Sequence, residues 1–102
     1  MAILFEATTP LGCTIRTTEE YWQYLVEKKH PYMINRQAIV INTLREPHEI
    51  RKSNIDPSVY LYYRYDDRLY CVIAKHQAGK EGFLITAYPA DKAKEGDIIW
   101  RK

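Results

Sequence analysis

Five residues have the side-chain chemistry to hold a phosphate and move a proton: His30, Arg51, Ser53, Arg64 and Thr86. His30 follows Lys28-Lys29 and precedes Pro31. A histidine there either interacts with a helix C-terminus or serves as a general acid or base held by a rigid turn. Arg51 and Ser53 sit in Glu-Ile-Arg-Lys-Ser. They are either a solvated charged stretch or a guanidinium and a hydroxyl able to grip a phosphate. Thr86, in Ile-Thr-Ala-Tyr, is either a strand former or a hydroxyl donor beside Tyr88.

A tyrosine-rich stretch surrounds these groups. Tyr60, Tyr62, Tyr63, Tyr65 and Tyr70 lie between Val59 and Tyr70, and the basic run Cys71-Val72-Ile73-Ala74-Lys75-His76 follows. β-branched and aromatic residues alternate on both sides of Asp66-Asp67-Arg68, which predicts a hairpin. Side chains alternate across a strand, so each strand divides into two sets. One set, Val59, Leu61, Tyr63, Leu69, Cys71, Ile73, Phe83, Ile85 and Ala87, is expected to face the core. The other set is expected to form an open face of Tyr60, Tyr62, Arg64, Tyr70, Val72, Ala74, His76, Leu84, Thr86 and Tyr88. Such a face can stack bases and hold phosphates, while any single tyrosine is equally a half-buried strand residue. Lys75 shares the parity of Ile73 and is expected at the rim of the core side.

Two helices are expected ahead of the hairpin. Thr17 or Thr18 can cap the first, Glu19-Glu20 complement its dipole, and it should run to Lys29 before Pro31. The second should span about Asn35 to Arg45 and end before Pro47. Ala2–Phe5 is expected as a short edge strand. Three further strands are expected at Val59–Tyr65, Leu69–His76 and Phe83–Tyr88, with another over Asp97–Arg101. The expectation is α+β: two N-terminal helices packed on one face of an antiparallel, curved sheet of about four strands, within a single domain of residues 1–102.

Bulk composition narrows the classes. The chain has 102 residues, 46% of them hydrophobic and 27% charged, with a net charge of +2; this excludes a highly charged disordered chain. A net charge of +2 permits a polyanionic partner without requiring one. No apolar run reaches the length of a membrane span, and the start lacks signal-peptide design, so a cytoplasmic location without membrane association is expected. Cys13 and Cys71 form no C-x-x-C motif, His30, His48 and His76 are scattered, and no phosphate-binding glycine motif occurs; neither metal nor cofactor is expected.

The order of helix, Lys-His-Pro break, second helix, Leu-Arg-Glu-Pro-x-Glu-Ile-Arg-x-Ser and a meander closing in Gly-Phe-Leu-Ile-Thr-Ala-Tyr resembles small bacterial domains of the barnase–EndoU–colicin–RelE (BECR) superfamily. The resemblance runs from about Tyr21 to Tyr88. It implies a RelE-like toxin that cleaves RNA without a metal, by attack of the 2′-hydroxyl. It further implies His30, Arg51, Ser53, Thr86 and a strand cation, Arg64 or Lys75, as catalytic groups, with Tyr60, Tyr62 and Tyr88 stacking or orienting bases. Tyr70 and His76, from the same open face, and Lys75 are expected to contact substrate beside them. The implied partners are RNA, including ribosome-associated RNA, and a restraining antitoxin. The chain lacks the clear carboxylate base of the barnase branch. A catalytically inert module, binding RNA or protein through the tyrosine face, is the alternative, and that face would equally serve a homodimer.

Overall fold

The computed structural model describes residues 2–93 and 95–102. Seven strands form one sheet: β1 (Ile3–Thr8), β2 (Thr14–Thr18), β3 (Glu49–Lys52), β4 (Val59–Tyr65), β5 (Leu69–Gln77), β6 (Glu81–Pro89) and β7 (Asp97–Arg101). Their spatial order is β1-β2-β6-β5-β4-β3-β7. β2 and β6 run parallel and every other pair is antiparallel, so the sheet is mixed. The expected antiparallel sheet of about four strands under two helices is therefore wrong. The sheet is nearly twice that width, and its helices are short.

Local sequence explains the helices. Thr18 caps α1 (Glu19–Tyr24), its hydroxyl accepting from the Tyr21 N–H at 3.1 Å. α1 stops five residues before the expected end, and the chain continues as a wider π-turn over Leu25–Lys29. Proline disfavours helical geometry in the residue before it, and His30 accordingly leaves the helix at φ −138°, ψ 79°. A single 3₁₀ turn over Pro31–Met33 follows. Asn35 is not the cap of α2 (Gln37–Arg45); it takes a left-handed φ of 62°, and Arg36 occupies the cap position.

The additional strands came from polar or mixed sequence. β2, Thr-Ile-Arg-Thr-Thr, has no run of apolar residues, and only Ile15 and Thr17 are buried. β3 forms where Glu49 to Lys52 reads as a charged loop, because β4 and β7 both pair with it. Neither strand is stable without its neighbours, so neither has a local signal. Close backbone approach at β6 depends on Gly82. A Cβ there would overlap the Lys75 carbonyl oxygen and press on the Ile15 side chain at 2.9 Å. Gly82→Ala is expected to destabilise the protein by about 2–4 kcal/mol, measured by urea unfolding.

The two faces of the sheet are assigned opposite to expectation. The helices cover Tyr62, Tyr70, Val72, Ala74, Leu84 and Ala87, which join Ile15, Trp22, Leu25, Met33, Val40 and Leu44 in the main core. The small side chains of Ala74 and Ala87 allow this close approach, and Tyr62 and Tyr70 fill the remaining volume, both fully buried. Leu61, Tyr63, Leu69 and Cys71 form a separate, smaller cluster on the opposite face, with Ala90 and Ala93 of the β6–β7 connection packed on them. A β-bulge in β6 breaks the alternation: Ile73 pairs with Thr86 and Ala74 with Leu84, leaving Ile85 as the extra residue. The Tyr21 hydroxyl bonds the Ile85 carbonyl oxygen from α1. The bulge leaves Thr86 and Tyr88 on the helix-free face even though the tyrosines of β4 and β5 changed sides.

Candidate functional site

The helix-free face has a regular register. Tyr88, Cys71, Tyr63, Glu49 and Arg101 form one cross-strand row from β6 to β7. Thr86, Ile73, Leu61, Arg51 and Ile98 form the next row. The connection from Pro89 to Asp97 crosses this face and leaves clefts along its sides. One, of about 220 Å³, is lined by Tyr63, Tyr88, Lys92 and Glu95. Another, of about 470 Å³, is lined by Ser53, Val59, Leu61, Ile73 and Glu95.

His30 reaches this face around a sheet edge. β2 pairs with β6 only as far as Phe83, so the upper edge of β6 is open to α1 and the π-turn. The His30 ring stacks on Tyr88, with centroids 5.2 Å apart and planes 29° apart. Partial burial lowers its pKa below the usual histidine value, and the nearby Lys29 charge adds to the effect. The imidazole is therefore neutral at pH 7 and able to accept a proton. Burial pushes the Tyr63 and Tyr88 phenols well above their ordinary range, so both remain protonated donors. Cys71 between them is pushed up to about 11, chiefly by burial, which makes it a poor nucleophile. The Thr86 hydroxyl, two residues from Tyr88, is buried without a hydrogen-bond partner among the described residues.

The other expected residues divide between the two faces. Arg51 is on the helix-free face, but its Nε is held by Glu49 at 2.5 Å, and Glu49 also binds Arg101 at 3.0 Å. Three strand spacings separate Arg51 from Thr86, roughly 14 Å at about 4.8 Å per strand, so the two do not meet at one atom. The Ser53 hydroxyl accepts from the Ile55 and Asp56 N–H groups and holds a turn at the cleft edge. Lys75 lies on the helix-free face, 3.9 Å from Asp56.

Arg64 is on the helical side, donating to the Glu46 carbonyl oxygen at the C-terminus of α2, which is a capping role. Tyr60, Tyr62, Tyr70 and His76 also lie there; Tyr62 and Tyr70 are packed interior rather than the expected open floor, while Tyr60 and His76 are half-buried. The Tyr62 hydroxyl meets His76 Nε2 at 2.7 Å and Thr9 at 3.3 Å, and Tyr60 stacks on the His76 ring. Burial lowers the His76 pKa. Below about pH 6.5 the unfolded chain binds a proton at this site that the folded chain resists, so stability falls as pH drops through that region. Urea midpoints at pH 7.5 and 5.5 should differ in that direction, and the difference should shrink in His76→Gln.

Lys92, Tyr63 and Cys71 were not among the expected functional residues. Lys92 lies in a polar stretch after Pro89 with no periodicity to show which face it crosses. Among the described residues no group of three or more His, Cys, Asp or Glu side chains is arranged to hold a metal ion. Nor is any helix long and apolar enough to cross a membrane. No family model, curated protein or solved structure matches the chain.

Proposed function

We propose that the chain is a small metal-independent endoribonuclease of toxin type, working on the helix-free face of the sheet. The observation that carries this reading is the neutral His30 ring stacked on Tyr88, a residue that lines a cleft together with Lys92. The Thr86 hydroxyl, two residues along β6 from Tyr88, has no hydrogen-bond partner among the described residues. In the proposed reaction His30 takes the proton from the 2′-hydroxyl, and the 2′-oxygen attacks phosphorus. The bond to the 5′-oxygen breaks, leaving a 2′,3′-cyclic phosphate and a 5′-hydroxyl. Thr86 and Lys92 offer a hydroxyl and an ammonium to the phosphorane, and the ammonium can protonate the leaving oxygen. Arg51, about three strands away, suits a flanking phosphate rather than the scissile one.

A cytoplasmic location, an antitoxin partner and RNA drawn from the ribosome belong to the same proposal. The second reading is an inert binding module on this same face. The Glu49–Arg51 pair favours it, since a guanidinium already neutralised contributes less to catalysis. Incubation of the protein with single-stranded RNA in EDTA separates the two. Cleavage of RNA but not of a 2′-deoxy strand supports the nuclease; retention of both strands intact with measurable binding supports the inert module.

A further inference from the structure

A third cleft opens on the helix-free face, where the Tyr88–Cys71–Tyr63–Glu49–Arg101 row reaches β3 and β7. Its volume is about 430 Å³, within the range of pockets that hold small organic ligands. His48, Glu49, Arg51, Tyr65, Lys92 and Arg101 are among its lining residues. Two of these side chains are flat rings. Tyr65 is 62% exposed, and its ring lies 6.1 Å from that of His48 with planes 28° apart. The Tyr65 N–H donates to His48 Nδ1 at 3.0 Å, which fixes the imidazole and leaves Nε2 as its donor. The uncovered Tyr65 ring offers a surface on which a further ring can stack.

The other polar groups of the lining are mostly cations. Glu49 is the one carboxylate among them, and both of its oxygens are engaged: Oε2 by Arg51 Nε at 2.5 Å and Oε1 by Arg101 Nη2 at 3.0 Å. This pairing holds the two guanidiniums side by side without exhausting them. Both terminal nitrogens of Arg51 and one of Arg101 form no hydrogen bond among the described residues. Lys92 is exposed and has no ion pair among the described residues. Three cations therefore stand against one carboxylate, a formal charge of +2, and the Asp66-Asp67 turn beyond Tyr65 does not line the cleft. Exposed rings beside an excess of donors and positive charge match a flat heterocycle that carries a phosphate. An acidic peptide would leave the rings unused, and an uncharged aromatic would leave the cations unused.

We propose that this cleft binds a nucleotide, with the base against Tyr65 and the phosphate held by Arg101, Arg51 and Lys92. Tyr63 and Lys92 also line the cleft beside Tyr88, so the two clefts adjoin. The nucleotide chemistry stands without the ribonuclease reading. Its assignment to a residue of an RNA strand that continues from the His30–Tyr88 cleft rests on that reading.

The test titrates adenosine 5′-monophosphate, adenosine and inorganic phosphate separately into wild type, Tyr65→Ala and Arg101→Gln, following amide NMR shifts. Both side chains are largely exposed, so circular dichroism should show the folds unchanged. The monophosphate should shift the amides of His48, Tyr65, Lys92 and Arg101. Tyr65→Ala should weaken the monophosphate and adenosine about fivefold or more and leave phosphate unchanged. Arg101→Gln should weaken the monophosphate and phosphate about fivefold or more and leave adenosine unchanged. Lys80→Gln, in the exposed β5–β6 turn at the opposite end of β5 from Tyr65, removes the same charge and should change none of them. Unchanged monophosphate affinity in both cleft variants, or shifts confined to other residues, overturns the cleft. Displacement of the monophosphate by a 2′-O-methyl RNA hexanucleotide supports a strand residue, and binding without displacement supports a free mononucleotide. RNA cleavage by wild type without monophosphate binding at these residues overturns the cleft and leaves the nuclease. Binding here without any RNA cleavage by wild type leaves the cleft and removes the nuclease.

Discussion

His30→Ala should slow RNA cleavage by about 10²- to 10⁴-fold at pH 7, the usual contribution of a positioned general base. The loss should appear in kcat more than in KM, because the ring acts on a proton rather than gripping the substrate. Its fold should remain intact, since His30 is only partly covered and makes no side-chain hydrogen bond among the described residues. The pH profile gives a sharper test. A base must be neutral to act, and burial lowers the His30 pKa, so the rising limb of kcat/KM should lie below pH 6.5. In His30→Ala that limb should disappear. A wild-type limb centred above pH 7, or one unchanged in the variant, assigns the proton transfer to another group.

The second large effect concerns stability and depends on which face of the sheet is interior. Tyr62→Ala should cost about 3–5 kcal/mol, because the ring is fully buried among Ile15, Val72 and Leu84 and its loss leaves a cavity. Tyr62→Phe should cost less, about 1 kcal/mol, by removing the hydroxyl that meets His76 and Thr9. Tyr65→Ala, three residues along the same strand, should change stability by less than about 0.5 kcal/mol, since Tyr65 is 62% exposed. Urea unfolding of the three variants measures the contrast. Equal, small effects at Tyr62 and Tyr65 would restore the open tyrosine face that the sequence suggests.

Elements with a local signal are legible in the sequence. β4 is found at Val59–Tyr65, as its dense β-branched and aromatic pattern predicts, and Thr18 caps α1 as its chemistry predicts. Both are local signals. The choice of face is not local. Tyr60-Leu61-Tyr62-Tyr63 offers large rings at both parities, so alternation divides the strand without saying which half is covered. The deciding groups were Ala74, Val72, Leu84 and Ala87 on neighbouring strands, whose small or aliphatic side chains accept the helices.

The candidate site was legible in part, and partly through an error that cancelled. Thr86 and Tyr88 stand on the open face because the bulge at Ile85 shifts β6 by one residue, a feature with no sequence mark beyond the Tyr21 bond that satisfies its carbonyl. Arg64 has the right chemistry for a phosphate but is used to hold the end of α2. Lys92 has no local signal for its face, because the strap that carries it is polar and packs on the sheet through the small side chains of Ala90 and Ala93. β2 and β3 had no local signature, since long-range pairing creates them.

The central claim is that the helix-free face, not the tyrosine-rich helical face, is the working surface. NMR titration of the wild-type protein with an uncleavable RNA strand, 2′-O-methylated at each position, tests it most directly. The account predicts the largest shifts at His30, Thr86, Tyr88 and Lys92, with smaller ones at Arg51. Shifts confined to Tyr60, His76 and the Thr9–Cys13 loop, or no saturable shifts at all, would contradict it.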